Sequence, residues 1–195
     1  MPQSQILWVN MVTAVTLALA LGFERAEPGI MNRPPRDPGA SFLAGYFLWR
    51  IAFVSVLMGG ATIAVFHLAE GNGADLDVER TLAVNTLVFG EIFYLFNARF
   101  LTAASFHPSR LFGNPVAWIA VGVLSVLQMG FVYLTFMQAL FGAAALSPRD
   151  SMIPTVIGLG IFAMVEVEKA VVRAWERRRP KQRGAAATAR PTTRV

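Results

Sequence analysis

Cysteine is absent from this 195-residue sequence, and charged residues are scarce. The absence of cysteine excludes disulfides, thiolate metal sites and thiol nucleophiles. Only 15% of the residues are charged, whereas a soluble domain usually carries about a quarter. Because 55% of the residues are hydrophobic, the composition favours lipid over water as the surrounding of most of the chain.

Motifs for soluble enzyme chemistry are missing as well. The sequence has no glycine-rich phosphate loop, and His67 and His107 lack the neighbours of a catalytic triad or a metal site. No stretch between the apolar segments is long enough to hold a nucleotide. We therefore expect no catalytic residue and no cofactor on this chain.

Five apolar segments separated by short charged stretches dominate the sequence. Each is long enough to cross a hydrocarbon core about 30 Å thick, which takes roughly 17 to 25 helical residues. The predicted spans are 6–23, 42–69, 82–98, 115–141 and 152–173. We predict an all-α, polytopic membrane protein: one domain of five transmembrane helices over residues 1–173, and a basic, disordered tail over 174–195.

The basic residues indicate the orientation. With the N-terminus outside, fifteen of the 17 Lys and Arg lie on the inner side, and only Arg80 and Arg149 lie outside. We therefore predict an outer N-terminus and a cytoplasmic C-terminus in a bacterial-type plasma membrane. Cleavage after Ala18-Leu19-Ala20 is an alternative for the first span, but no basic residue precedes it. Nine basic residues lie at or beyond Lys169, so the charge is local and predicts a lipid bilayer, not nucleic acid, as partner.

Polar residues within the spans are site candidates, because each must find a partner or line a wet cavity. On the first span Asn10, Thr13 and Thr16 fall within about 120° of one another and form one stripe. Their oxygens suit a small cation, but such groups also join helices. Spacing alone favours helix packing.

Glu91 is the only acidic residue near the middle of a predicted span. A carboxylate there costs on the order of 2.5 kcal/mol or more unless it is neutralised or solvated. Thr86, Gly90, Tyr94 and Asn97 share its wide face, so we expect this strip to face protein. Ion binding and a protonated Glu91 bonded to a neighbouring helix both stay open.

The charged residues near the predicted cytoplasmic ends of the spans have structural interpretations. Lys169 can meet Glu166 one turn before it. We expect Arg50 to extend from the second span to the cytoplasmic surface.

Five runs of the sequence together resemble the C-terminal membrane region, the sixth to tenth helices, of calcium-pump-like cation-transporting P-type ATPases. In chain order they are Gln5–Thr13, Leu21–Glu24, Ile30–Arg36, Leu87–Tyr94 and Glu166–Lys169. Their order and spacing match the family over nearly the whole chain apart from the tail.

The resemblance implies a cation site. In that family an Asn and a Thr of the sixth helix and an acid of the eighth bind the transported ion, and the matching residues here are Asn10, Thr13 and Glu91. Calcium pumps carry Asp directly after the Thr, where this chain has Ala14. Because loss of a carboxylate weakens a divalent site or changes its preference, the identity of the cation, calcium included, stays open.

The resemblance also implies what lies beyond this chain. The family's loop that matches Pro34, Pro35 and Arg36 lies against the phosphorylation domain, which implies a coupling role. The preceding helices, the actuator and nucleotide domains and the Asp-Lys-Thr-Gly motif have no counterpart in the sequence. ATP and Mg²⁺ would act only through those missing domains, so no ATP hydrolysis is expected from this chain alone.

Two functions of different classes follow. The first is the ion-pathway portion of a cation pump, as a truncated or split chain whose partner chain supplies the remaining helices and the ATPase domains. The second is a stand-alone membrane interaction or regulatory protein that keeps the fold and does not transport. The resemblance favours the first.

Overall fold

The regular secondary structure of the described part of the protein is all helical. The computed structural model describes residues 3–24, 45–99 and 112–178. The helices are α1 (Gln3–Gly22), α2 (Gly45–Gly71), α3 (Leu76–Ala98), α4 (Pro115–Tyr133), α5 (Thr135–Phe141) and α6 (Pro148–Arg178). No strand occurs among these residues. The prediction of an all-α fold is confirmed.

Four of these helices, α1 to α4, are long and apolar enough to cross a membrane. This agrees with a polytopic membrane protein. The fifth predicted span corresponds to α6, which has 31 residues and carries charges near both ends. Its crossing of the membrane and the orientation of the chain stay predictions.

The predicted fourth span, 115–141, is divided into two helices. Leu134 is extended, with φ −80° and ψ 123°, and separates α4 from α5. Its N–H donates to Gly130 O at 2.9 Å, and Gln138 Nε2 donates to Val132 O at 2.7 Å. A side-chain amide thus satisfies a carbonyl near the break, which allows the helix to stop inside an apolar run.

The third helix is the centre of the bundle. It packs against α1, α2, α4 and α6, and its side chains Leu82, Val84 and Val88 are at most 3% exposed. The contact with α6 is close at Gly158, where a Cβ atom would come within 3.0 Å of Phe89 O. Small residues permit such approach between membrane helices. The backbone that carries Glu91 is thereby fixed on several sides.

Buried charges join α2, α3 and α6 near the end of the bundle. Lys169 Nζ donates to Glu166 Oε1 and to Asn97 O, each at 2.9 Å, which confirms the predicted Glu166–Lys169 contact. Arg50 Nη2 lies 2.7 Å from Glu168 Oε2, and these side chains are 4% and 10% exposed. The prediction that Arg50 extends to the surface is wrong, because Glu168 neutralises it within the bundle.

The last helix continues past the predicted boundary at Arg173 and extends to Arg178, the last described residue. The added residues include good helix formers. The predicted disorder of the remaining tail lies outside the described residues.

Candidate cation site

Thr13 and Glu91 come together where α1 packs against α3. Thr13 is buried, with 4% of its surface exposed. Its hydroxyl donates to Val9 O at 2.8 Å and lies beside the carboxyl group of Glu91. Glu91 is half-buried, and its Oε2 is buried with no hydrogen-bond partner in the described part of the chain.

This contact places a hydroxyl group beside a carboxyl group that keeps one oxygen available. Thr13 lies within hydrogen-bond range of the Glu91 carboxyl group, whereas Glu91 Oε2 has no hydrogen-bond partner among the described residues. Hydroxyl and carboxylate oxygens are hard donors that suit a small cation. The contact is therefore suited to binding a positively charged species.

Asn10 lies apart from this contact, on the exposed side of α1. Asn10 is three positions before Thr13, which places it about 60° around the helix from Thr13. Ala14 is exposed beside it. The structure thus brings Thr13 and Glu91 together and leaves Asn10 at the open edge of the same seam.

The polar strip of α3 faces protein, as expected from the sequence. Thr86 and Asn97 are at most 1% exposed, and Gly90 is buried. Thr86 donates to Leu82 O at 2.8 Å, and Asn97 Nδ2 donates to Phe162 O at 3.2 Å. These groups are satisfied inside the bundle, in contrast to Glu91 Oε2.

A buried amide pair joins α3 and α4 and was not predicted from the sequence. Gln128 Nε2 donates to Asn85 Oδ1 at 3.2 Å, and the two residues are 3% and 4% exposed. Asn85 lies six residues before Glu91, which is about 9 Å along the helix. The sequence feature that could have revealed this pair is the presence of one amide side chain in each of the two apolar segments. Such groups must find hydrogen-bond partners in lipid.

Comparison with known proteins decides the family. The model described as "Cation transporting ATPase, C-terminus" matches residues 1–171. This chain belongs to that family. The resemblance to the C-terminal membrane region of P-type cation ATPases is confirmed, and the chain is a multi-pass membrane protein of this class.

Relatives of this ATPase region are much longer than the chain. It is 41% identical to a "Probable cation-transporting ATPase F" of Mycobacterium tuberculosis over 143 residues, 72% of this chain and 16% of the relative. It is 34% identical to a "Calcium-transporting ATPase" of Bacillus subtilis over 156 residues, 80% of this chain and 17% of the relative. The chain therefore spans less than a fifth of the length of these relatives.

Three chain segments of the ATPase region meet at Glu24, just after α1. Arg99 Nε donates to Glu24 Oε2 at 2.7 Å and its Nη2 donates to Oε1 at 3.2 Å. Asn114 Nδ2 also donates to Oε2, at 2.9 Å, while its Oδ1 caps the start of α4. We call Glu24, Arg99 and Asn114 the Glu24 clamp. No sequence pattern predicted this clamp.

Two further features considered in the sequence are the predicted coupling loop and His67. Pro34, Pro35 and Arg36, the predicted coupling loop, lie outside the described residues. His67 is exposed and its Nδ1 lies 2.9 Å from Glu70 Oε2. Within residues 3–24, 45–99 and 112–178, no three His, Asp or Glu side chains are grouped closely enough to hold a metal ion.

Proposed function

We propose that this chain forms the transmembrane ion-pathway portion of a cation-transporting P-type ATPase, in which Asn10, Thr13 and Glu91 bind the transported cation. The observation that carries the proposal is the buried, unpartnered Glu91 Oε2 beside Thr13. A cation between the two side chains supplies the partner that Glu91 Oε2 lacks among the described residues. The comparisons support the same class of function.

The site on this chain is a partial one. Asn10, Thr13 and Glu91 offer at most one, one and two side-chain oxygens, whereas Ca²⁺ takes roughly six to eight. Ala14 adds none. We therefore propose that the remaining pump helices complete the coordination and that this chain alone binds cations weakly.

The rest of the pump, on the same chain or on a partner chain, supplies the phosphorylation and nucleotide domains. ATP and Mg²⁺ act there, and Pro34, Pro35 and Arg36 transmit the movement. The chain crosses the plasma membrane five times, with an outer N-terminus and a cytoplasmic C-terminus. The excess of Lys and Arg in its predicted inner segments supports this orientation.

A chimeric pump tests the proposal. Residues 1–171 replace the matched region of the Mycobacterium tuberculosis relative, and ATP-driven uptake of Ca²⁺, Mn²⁺, Na⁺ and K⁺ is measured in membrane vesicles. Glu91→Gln keeps the shape of the side chain and removes its charge, so we expect it to abolish uptake of the transported ion. Glu70→Gln is the matched control, because Glu70 is exposed and away from the seam.

Two results contradict the proposal. Uptake that survives Glu91→Gln removes the ligand role of this carboxylate. A chimera that hydrolyses ATP but transports none of the cations argues against an ion pathway in this chain. Thermal unfolding of the isolated Glu91→Gln chain, expected to change little, separates a lost ligand from a lost fold.

A further inference from the structure

A cleft lies between α2, α3 and α6 at the end of the bundle where α2 ends and α6 begins, and we call it the α2–α6 cleft. It has a volume of about 250 Å³ and is lined mainly by aliphatic side chains, among them Val65, Ala69, Leu82, Ile153 and Ile157. Ligand sites usually start at roughly 300 Å³, so this one is small. A narrow, flexible apolar chain therefore fits the cleft better than a bulky ring system.

The contact between α2 and α6 at the other end of the bundle explains why the cleft is open here. Arg50, near the start of α2, pairs with Glu168, in the second half of α6. At the opposite end, Asn72 just after α2 and Asp150 in the first turn of α6 both line the cleft. The two helices are thus joined at one end and separated by the α2–α6 cleft at the other.

The α2–α6 cleft opens towards a surface that suits lipid. Leu68 and Ile153 line it, and they are 67% and 40% exposed. Only 11% of the apolar stretch of α2 is buried, and exposed side chains along this helix, such as Val56 and Ile63, are apolar. Acyl chains of the surrounding bilayer therefore reach the opening.

One carboxylate stands at the rim of the cleft. Asp150 is half-buried, and its Oδ2 accepts a hydrogen bond from Ser147 Oγ at 2.7 Å. Its Oδ1 makes no hydrogen bond within the described residues. Ile157 is seven positions after Asp150, which is about 10 Å along the helix. The cleft thus combines an available carboxylate oxygen at its rim with an apolar interior about 10 Å deep.

The charges around the cleft favour a cationic group at its rim. Residues 67–80 and 147–153 together carry five acidic side chains and two arginines, and such an excess of negative charge repels anionic headgroups. A primary ammonium group has three N–H donors for Asp150 Oδ1, whereas a trimethylammonium group has none. Arg149 is exposed beside Asp150 and suits a phosphate group of the same molecule.

We propose that the α2–α6 cleft binds phosphatidylethanolamine. One acyl chain enters the cleft, the ammonium group donates to Asp150 Oδ1, and the phosphate lies near Arg149. The bound lipid fills the space between α2 and α6 at the end opposite to the Arg50–Glu168 pair. This inference goes beyond the proposed function, because it does not depend on cation binding at Glu91.

Native mass spectrometry of the full chain in mild detergent tests the lipid site. Dioleoyl phosphatidylethanolamine, phosphatidylcholine and phosphatidylglycerol are titrated separately, and the lipid-bound fraction is measured. We expect phosphatidylethanolamine to bind with an apparent Kd about fivefold or more below those of the other two lipids. Ile153→Trp should abolish this advantage by filling the cleft. Val56→Trp is the matched control, because Val56 is 75% exposed and does not line the cleft.

A second pair of variants tests the headgroup contact. Asp150→Asn removes the carboxylate, so we expect binding of phosphatidylethanolamine to fall to the level of phosphatidylcholine while binding of phosphatidylcholine stays unchanged. Asp77→Asn is the matched control. It removes the same charge at the same end of the bundle, from a side chain that is 58% exposed and does not line the cleft, so the lipid preference should persist.

Four outcomes overturn the proposal. They are equal or weaker binding of phosphatidylethanolamine than of the other lipids, unchanged binding in Ile153→Trp, an equal loss in Asp77→Asn and Asp150→Asn, and occupation of the cleft by protein. The same spectra detect the last as a second copy or a copurified protein that Ile153→Trp releases while the lipid still binds. Leu68→Trp fills the cleft from α2 and replaces Ile153→Trp if thermal unfolding shows that the latter does not fold.

Discussion

Replacing Lys169 by Met should strongly destabilise the helix bundle. The Lys169 side chain is 0% exposed and lies 2.9 Å from Glu166, which is 6% exposed. Its Nζ also donates to Asn97 O at 2.9 Å and to Asn97 Oδ1 at 3.3 Å. The substitution removes the positive charge beside a buried carboxylate and the donor for two oxygens of α3.

The expected loss follows from this geometry. Removing one member of a buried ion pair typically costs about 3 to 5 kcal/mol, because the remaining charge loses a buried partner of opposite sign. The double variant Glu166→Gln with Lys169→Met removes both charges. We expect it to recover about 2 kcal/mol or more relative to Lys169→Met alone, which is a coupling of the size seen between residues in contact.

The assay is equilibrium unfolding in mixed micelles, with helix content measured by circular dichroism as the fraction of SDS rises. Arg149→Met is the control. Arg149 is exposed, and removal of a surface charge should change the free energy of unfolding by about 0.5 kcal/mol or less. If Lys169→Met stays within about 1 kcal/mol of the unaltered chain, or if the double variant is no more stable than the single one, the buried-pair reasoning is wrong.

Three further outcomes are expected. Gly158→Ala should lower the free energy of unfolding by about 1 to 3 kcal/mol, since its Cβ would lie 3.0 Å from Phe89 O. Gly160→Ala is the control, because a Cβ atom there meets open space. Equal stability of the two variants would contradict the close contact. Gln128→Leu should cost about 1 to 3 kcal/mol by leaving the buried Asn85 Oδ1 without its donor. Adding Asn85→Leu should restore part of this loss, and a purely additive loss in the same unfolding assay would contradict the pairing. The purified chain should show no ATPase activity and no acid-stable phosphoenzyme, because no residue for phosphoryl transfer was found in it, and turnover that survives removal of contaminating pumps would refute this.

Local features of the sequence were enough to predict the helices. Apolar length identifies a span because the hydrocarbon core has a fixed thickness, and a one-turn spacing predicted the Glu166–Lys169 contact. The break at Leu134 was missed because it depends on the side chain of Gln138 satisfying a carbonyl near the break. Propensity and hydropathy carry no information on such a bond.

Contacts between distant segments were harder to predict. Arg50 and Glu168 are 118 positions apart in the sequence, and Arg50 alone suggested a side chain reaching for the surface. The polar stripe of α1 was identified, but helical periodicity could not say which of its members faces α3. Only the packing separates Thr13, which lies in the seam, from Asn10, which lies at its edge.

The Glu24 clamp has a consequence for how this region changes over evolution. Glu24 receives three hydrogen bonds from Arg99 and Asn114, and the Arg99 side chain is only 2% exposed. Replacing the carboxylate alone would leave a buried guanidinium without its bidentate partner, which is more damaging than losing all three polar groups together. Positions 24, 99 and 114 should therefore vary together among homologues, although 75 residues or more separate the first from the other two in the chain.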